Sequence, residues 1–121
     1  MKVKIVSVHG QGDYEREFVL LRVVEDCDIG RYQLSDSTYT ANGKVSNKVR
    51  HVYWFPDKDV VEGDMISLWT KPGKDESTRM DSGAPLHRFY WGLRTAVWND
   101  DGDVAVLQHV ASWQFFAAKN A

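Results

Sequence analysis

The sequence predicts an all-β domain, and three observations carry that expectation. Apolar side chains recur at every second residue in several stretches, which is the period of a pleated strand. Turn-forming Gly, Asn, Asp and Pro punctuate these stretches at roughly 8–12-residue spacing, the pattern of a sandwich or barrel. Five Trp, five Tyr and five Phe in 121 residues, among many valines, suit a pleated surface. No segment of helical length shows a clean apolar stripe at the helical period of about 3.6 residues.

The elements follow in chain order. "MKVKIVSVHG" alternates as a strand, and "GQGD", Gly10 to Asp13, turns it. "EFVLLRVVE", Glu17 to Glu25, is nearly continuous in apolar residues and reads as a central strand. "DCDIG" interrupts, and "RYQLSDS" from Arg31 is a short strand. Asn42-Gly43 in "TANGKVSNK" marks a loop or a hairpin. "RHVYWFP", Arg50 to Pro56, is a strand stopped by proline. "DKDVVEGD" is a connection anchored by Val60 and Val61, and "DMISLWT", Asp64 to Thr70, is the next strand. Residues 71–86 lack periodicity and read as a long surface loop. "HRFYWGL", "RTAVW", "VAVLQHV" and "SWQFFAA" are the remaining strand candidates.

"VWNDDGDVAVLQHV", Val97 to Val110, places acids around one glycine. A calcium loop needs alternating oxygen ligands and a distant Glu. Here the order is Asn99, Asp100, Asp101, Gly102, Asp103, and no Glu follows. Asp and Asn tolerate left-handed backbone and Gly adopts it without steric cost, so the stretch reads as a hairpin turn.

The chain is one domain, 1–121, by size. Hydrophobic residues at 43% and charged residues at 26% match an ordinary globular protein. A net charge of −2 lowers the rank of a general nucleic-acid binder. A single cysteine, Cys27, excludes an internal disulfide and any zinc site built on paired thiolates; it reads as a structural residue. The N-terminus shows no signal-peptide pattern and no apolar run is long enough to span a bilayer, so the expectation is a cytoplasmic protein.

Four stretches in the same order resemble the lamin tail domain, an immunoglobulin-like module of nuclear lamins with bacterial relatives. They are "VKIVSVHGQGDYEREFVLLRV", "DIGRYQLSD", "FPDKDVVEGDMISLW" and "LRTAVWNDDGDVAVL". Leu20 and Val23 stand where that family carries an acid and an asparagine. The resemblance implies an immunoglobulin-like β-sandwich of about 8–9 antiparallel strands. It further implies a stand-alone bacterial member that binds or interacts and has no catalytic set.

Strand alternation assigns candidate binding residues. In "DMISLWT", Ile66 and Leu68 face the core, and Met65, Ser67 and Trp69 point outward. Tyr53 and Phe55 match positions that are apolar in the lamin tail family, so the resemblance implies that they point in and that Trp54 points out. Two outward tryptophans on neighbouring strands would form an apolar patch, and covering it would bury roughly 300–500 Å². A homodimer through that face is its simplest use. Trp91, Trp98 and Trp113 are assigned to the core or its margin. Lys44, Lys48 and Arg50 form a net-positive loop that would meet an acidic partner.

The leading expectation is therefore a non-catalytic protein-interaction module that needs no metal or other cofactor. A carbohydrate- or small-ligand-binding sandwich is the alternative, motivated by the aromatic count, and a nucleic-acid-associated accessory domain through residues 44–50 comes next. An enzyme would have to use His87 or His51 with an acid such as Asp81 under the 71–86 loop. No serine sits in a nucleophile-elbow context. His51, His87 and His109 are scattered, and a metal site would require their convergence.

Overall fold

Val19 pairs with Leu68 and Leu21 with Ile66 on adjacent strands, and all four side chains are buried. They form the centre of a β-sandwich seen in a computed structural model, which describes residues 1–99 and 102–119. The strands are β1 Val3–His9, β2 Phe18–Val23, β3 Cys27–Asp28, β4 Tyr32–Thr38, β5 Val52–Trp54, β6 Asp59–Val60, β7 Met65–Trp69, β8 Glu76–Arg79, β9 Pro85–Tyr90 and β10 Asp103–His109. One sheet has the order β1-β2-β7-β9-β8 and a second the order β10-β4-β5; β3 and β6 form a two-stranded ribbon.

Alternation explains the core. Val3, Val19, Leu21, Val23, Ile66, Leu68 and Phe89 line the inner face of the five-stranded sheet. Tyr32, Leu34 and Phe55 face them from the three-stranded side. Phe55 and Phe89 meet edge-on at 5.2 Å, a favoured aromatic geometry. Val97 and Trp98 add to the core from the segment after β9.

The connections behave as their residues dictate. Asp13 N–H bonds Gly10 O at the first turn. Gly10 has φ 65, and a Cβ there would lie 2.5 Å from Arg16 O. Gly43 N–H bonds Thr40 O and a Tyr39–Val45 bridge closes beyond it, so Asn42-Gly43 is a small hairpin. Asp28 Oδ1 accepts from Gly30 N–H at 2.8 Å and Lys58 N–H at 2.9 Å, tying a short 3-10 turn to the ribbon.

Several expectations are corrected. The strands are not antiparallel throughout, because β7 and β9 run parallel. β8 lies at the sheet edge and β9 inserts between it and β7. Residues 71–86 are not one loop: β8 pairs antiparallel with β9 across Asp81-Ser82-Gly83. Met80 N–H bonds Ala84 O, Gly83 N–H bonds Met80 O, and Gly83 takes φ 89, a three-residue hairpin with a glycine bulge. "RTAVW" forms no strand, because Val97 and Trp98 N–H bond the Glu17 carboxylate instead of a ladder. β10 therefore pairs with β4 rather than with the preceding segment. The aspartate turn falls at Asp100 and Asp101, outside the described residues. "SWQFFAA" is not a strand; beyond Val110 N–H, which bonds Arg31 O, it leaves the sheet with Trp113 exposed rather than in the core. Val60 is buried as expected, whereas Val61 is exposed. Among the described residues no helix is long and apolar enough to cross a membrane.

Candidate functional site

The three-stranded sheet carries the most exposed apolar surface. Directly paired residues on adjacent strands share a face, so the β4 pairings set its outer rows: Gln108–Gln33–Trp54, Val106–Ser35–Val52, and Val104–Ser37. Trp54 is 40% exposed and donates its indole N–H to Gly30 O at 2.8 Å. Trp113 stands edge-on to it at 5.1 Å, and Phe115 follows at 6.5 Å from Trp113. Phe115 and Phe116 are almost fully exposed.

β10 is an edge of that sheet, and its backbone polarity can be assigned. Phe55 N–H bonds Tyr32 O and Asp36 N–H bonds His51 O, so the even-numbered residues of β4 turn toward β5. Antiparallel ladders alternate, so Gln33, Ser35 and Ser37 bond to Gln108, Val106 and Val104. Ala105, Leu107 and His109 then direct N–H and C=O away from the sheet. Among the described residues no hydrogen bond from elsewhere in the chain reaches these groups. The tail does not cover the edge, because Trp113 sits on β5, on the other side of β4.

Trp69 and Met65 do point outward and are half-buried, but from the five-stranded sheet. The expected joint patch of Trp54 and Trp69 is thus corrected: the two side chains lie on different sheets. Trp69 stacks on Phe18 at 4.4 Å and Phe18 on His9 at 4.7 Å. These separations match the spacing of adjacent strands, about 4.8 Å, so the rings stand face to face across three strands. The Arg88 guanidinium and the Lys71 ammonium lie over Trp69 at 4.8 and 5.1 Å. The stack offers ring edges rather than the open faces a sugar requires. Ser67 points outward but is buried, its hydroxyl accepting from the Trp69 indole at 3.1 Å.

Lys44 and Lys48 are exposed in the β4–β5 connection. Arg50 is held by the fold: its Nε lies 3.0 Å from Asp36 Oδ2, and Nη2 pairs with Asp103. His51 N–H and Nδ1 meet Asp36 Oδ1 at 2.7 and 3.0 Å. His109 packs on the Tyr32 ring. The histidines therefore do not converge.

His87 has a different acid from the one expected. Its Nε2 lies 2.9 Å from Asp64 Oδ2, not near Asp81, and its Nδ1 lies 2.8 Å from Ser77 Oγ. A cleft of about 250 Å³ opens beside Ser77, His87, Lys58 and Asp75. A larger one, about 460 Å³, separates Val8 and Gly12 from Trp98 and Ala105. Among the described residues the buried Trp98 indole nitrogen has no hydrogen-bond partner. Burial pushes the Cys27 thiol above its usual range, which keeps it protonated and weakly reactive near neutrality.

The chain matches no protein-family model and no curated protein. Sequence reasoning missed the Ser77–His87–Asp64 relay and the buried Glu17. The relay draws on two strands, β8 and β9, and on the turn that precedes β7, and no local spacing announces it.

Proposed function

We propose that this protein is an interaction module that associates with a second copy through the open edge of β10. The observation that carries it is the outward N–H and C=O of Ala105, Leu107 and His109. Natural sheets usually blunt such edges with lysine, proline or a bulge. "DVAVLQH" contains none of these and pairs with β4 in unbroken register. Two β10 strands paired antiparallel about Val106 put Ala105 opposite Leu107 of the second copy. Every position so matched is one whose backbone points outward. Val104 and Val106 of both copies would then adjoin, extending the Val52–Trp54 face over six strands. Kinship with lamin tail modules belongs to the same proposal and is supported by the order of its four motifs.

Sedimentation across a concentration series tests it. The wild type is expected to dimerise. Ala105→Pro removes an outward N–H without touching the β4 ladder, an edge position where proline is tolerated, and should be monomeric with unchanged circular dichroism. Val106→Lys gives an independent check, since it would set two like charges opposite each other. A monomeric wild type, or a dimeric and folded Ala105→Pro, overturns the proposal.

A further inference from the structure

We propose that Ser77 is an activated nucleophile toward small carboxylic esters, with His87 as its base and Asp64 as the positioning residue. This site lies on the other sheet from β10 and is independent of self-association.

The geometry is that of a relay. Ser77 and His87 are directly paired across β8 and β9. Met80 N–H bonds Ala84 O, so the alternation makes 78/86 and 76/88 the hydrogen-bonded pairs. Ser77 and His87 then form the close, non-hydrogen-bonded pair, whose side chains approach most nearly. Asp64 is buried and accepts from Val61 N–H at 3.1 Å through the same Oδ2 that meets His87. A carboxylate only accepts, so the neutral imidazole carries its proton on Nε2. Nδ1 is left as the acceptor for the Ser77 hydroxyl at 2.8 Å. The His87 side chain is 12% exposed, which holds the ring in place. A buried acid, a shielded imidazole oriented by it, and an exposed hydroxyl at the end meet the role test for an activated serine.

The surroundings supply the rest. The same alternation points the Ser77 N–H out from the edge strand, beside its own Oγ. Lys58 and Arg88 line the adjoining cleft with the Asp75 and Glu76 carboxylates, so the Ser77 N–H rather than a net positive charge is the donor for a developing oxyanion. The cleft holds about eight water volumes at roughly 30 Å³ each, which suits a short acyl group. In the first step the Ser77 Oγ–carbonyl carbon bond forms and the hydroxyl proton passes to His87 Nδ1. The carbon–alkoxy bond then breaks, and the leaving alcohol takes that proton. Water then attacks the acyl carbon as it gives a proton to His87 Nδ1, and the Ser77 Oγ–carbon bond breaks as Nδ1 returns that proton to Oγ, releasing the acid and restoring the serine hydroxyl. Asp64 stays ionised throughout.

The test treats the folded protein with p-nitrophenyl acetate and maps acetyl groups by mass spectrometry. Ser82, exposed on the adjacent turn with no imidazole hydrogen-bonded to it, is the internal reference. Ser77 should acetylate at least about 100-fold faster than Ser82, the lower range of general-base assistance. His87→Gln should bring it down to the Ser82 level. Asp64→Asn should lower the limiting acylation rate while leaving the half-saturating ester concentration unchanged. Acetylation of Ser77 no faster than Ser82 in the wild type overturns the proposal, as does an undiminished rate in His87→Gln. The first comparison needs no variant and so does not depend on a substitution folding.

Discussion

The Glu17 carboxylate accepts a 2.6 Å hydrogen bond from the hydroxyl of Thr70, and neither side chain reaches solvent. The same Oε2 accepts from Val97 N–H at 2.8 Å and Trp98 N–H at 3.4 Å, while Oε1 accepts from Gly12 N–H at 3.2 Å. One side chain thus joins the β1–β2 turn, the end of β7 and the strandless segment before β10. Its tie to that last segment explains why "RTAVW" follows no ladder.

Glu17→Ala should therefore be among the most destabilising substitutions in the chain. It strands a buried hydroxyl and backbone N–H groups, each worth about 1–3 kcal/mol when left unsatisfied. The expected total is about 3–5 kcal/mol, since several neutral donors lose their acceptor at once. Glu17→Gln keeps the volume and one acceptor oxygen, so it should cost less. Urea unfolding measures both; an alanine cost below about 1 kcal/mol would contradict this account.

Arg50→Ala tests whether that cation belongs to the fold or to a binding surface. Its guanidinium pairs with the buried carboxylate of Asp36 and reaches across to Asp103. His51 remains on Asp36, and Arg50 is half-exposed, so the loss should be about 2 kcal/mol, below the full cost of an unpaired buried charge. Arg50→Lys should recover less than half, because an ammonium cannot address two carboxylates as a planar fork does. Lys44→Ala and Lys48→Ala, at exposed positions, should each change stability by under about 0.5 kcal/mol. Equal effects at all three positions in chemical denaturation would refute the distinction.

The sequence made the strands legible wherever one face is greasy. β7 is legible because Ile66 and Leu68 alternate with outward residues, and β2 because "FVLLRVV" is nearly continuous in apolar residues. β8 was invisible because all four residues of "ESTR" are exposed, so pairing with β9 leaves no apolar period. "SWQFFAA" misleads in the opposite way: its aromatics have strand propensity but no partner strand among the described residues. The outward direction of Trp69 is readable from alternation and that of Trp54 from the family resemblance, yet their separation onto two sheets depends on strand order, which no local pattern encodes. The contacts of His87 and Glu17 were hidden for the same reason, since Ser77, Asp64 and Thr70 come from distant elements.

Tyr53 predicts how the fold fails in alkali. Burial, with a smaller contribution from the Asp75 charge, pushes its phenol up to about 12, from an ordinary value of about 10. Burial raises Tyr32 as well. The folded state therefore holds protons that the unfolded chain releases, and stability must fall as pH rises between the two values. Below pH of about 10 both states are protonated and this contribution is fully present; as pH approaches 12 it is lost. Denaturation midpoints should thus be flat with respect to these groups near neutrality and decline through that window. No hydrogen bond involves the Tyr53 hydroxyl among the described residues, so Tyr53→Phe should leave neutral stability nearly unchanged and soften the alkaline decline. Phenolate absorbance of the folded wild type against Tyr53→Phe provides the direct check, with the Tyr53 step falling toward pH of about 12. Ionisation of Tyr53 at the ordinary phenol value of about 10 without unfolding would show that it is not packed between Phe55 and Trp91 as the structure places it.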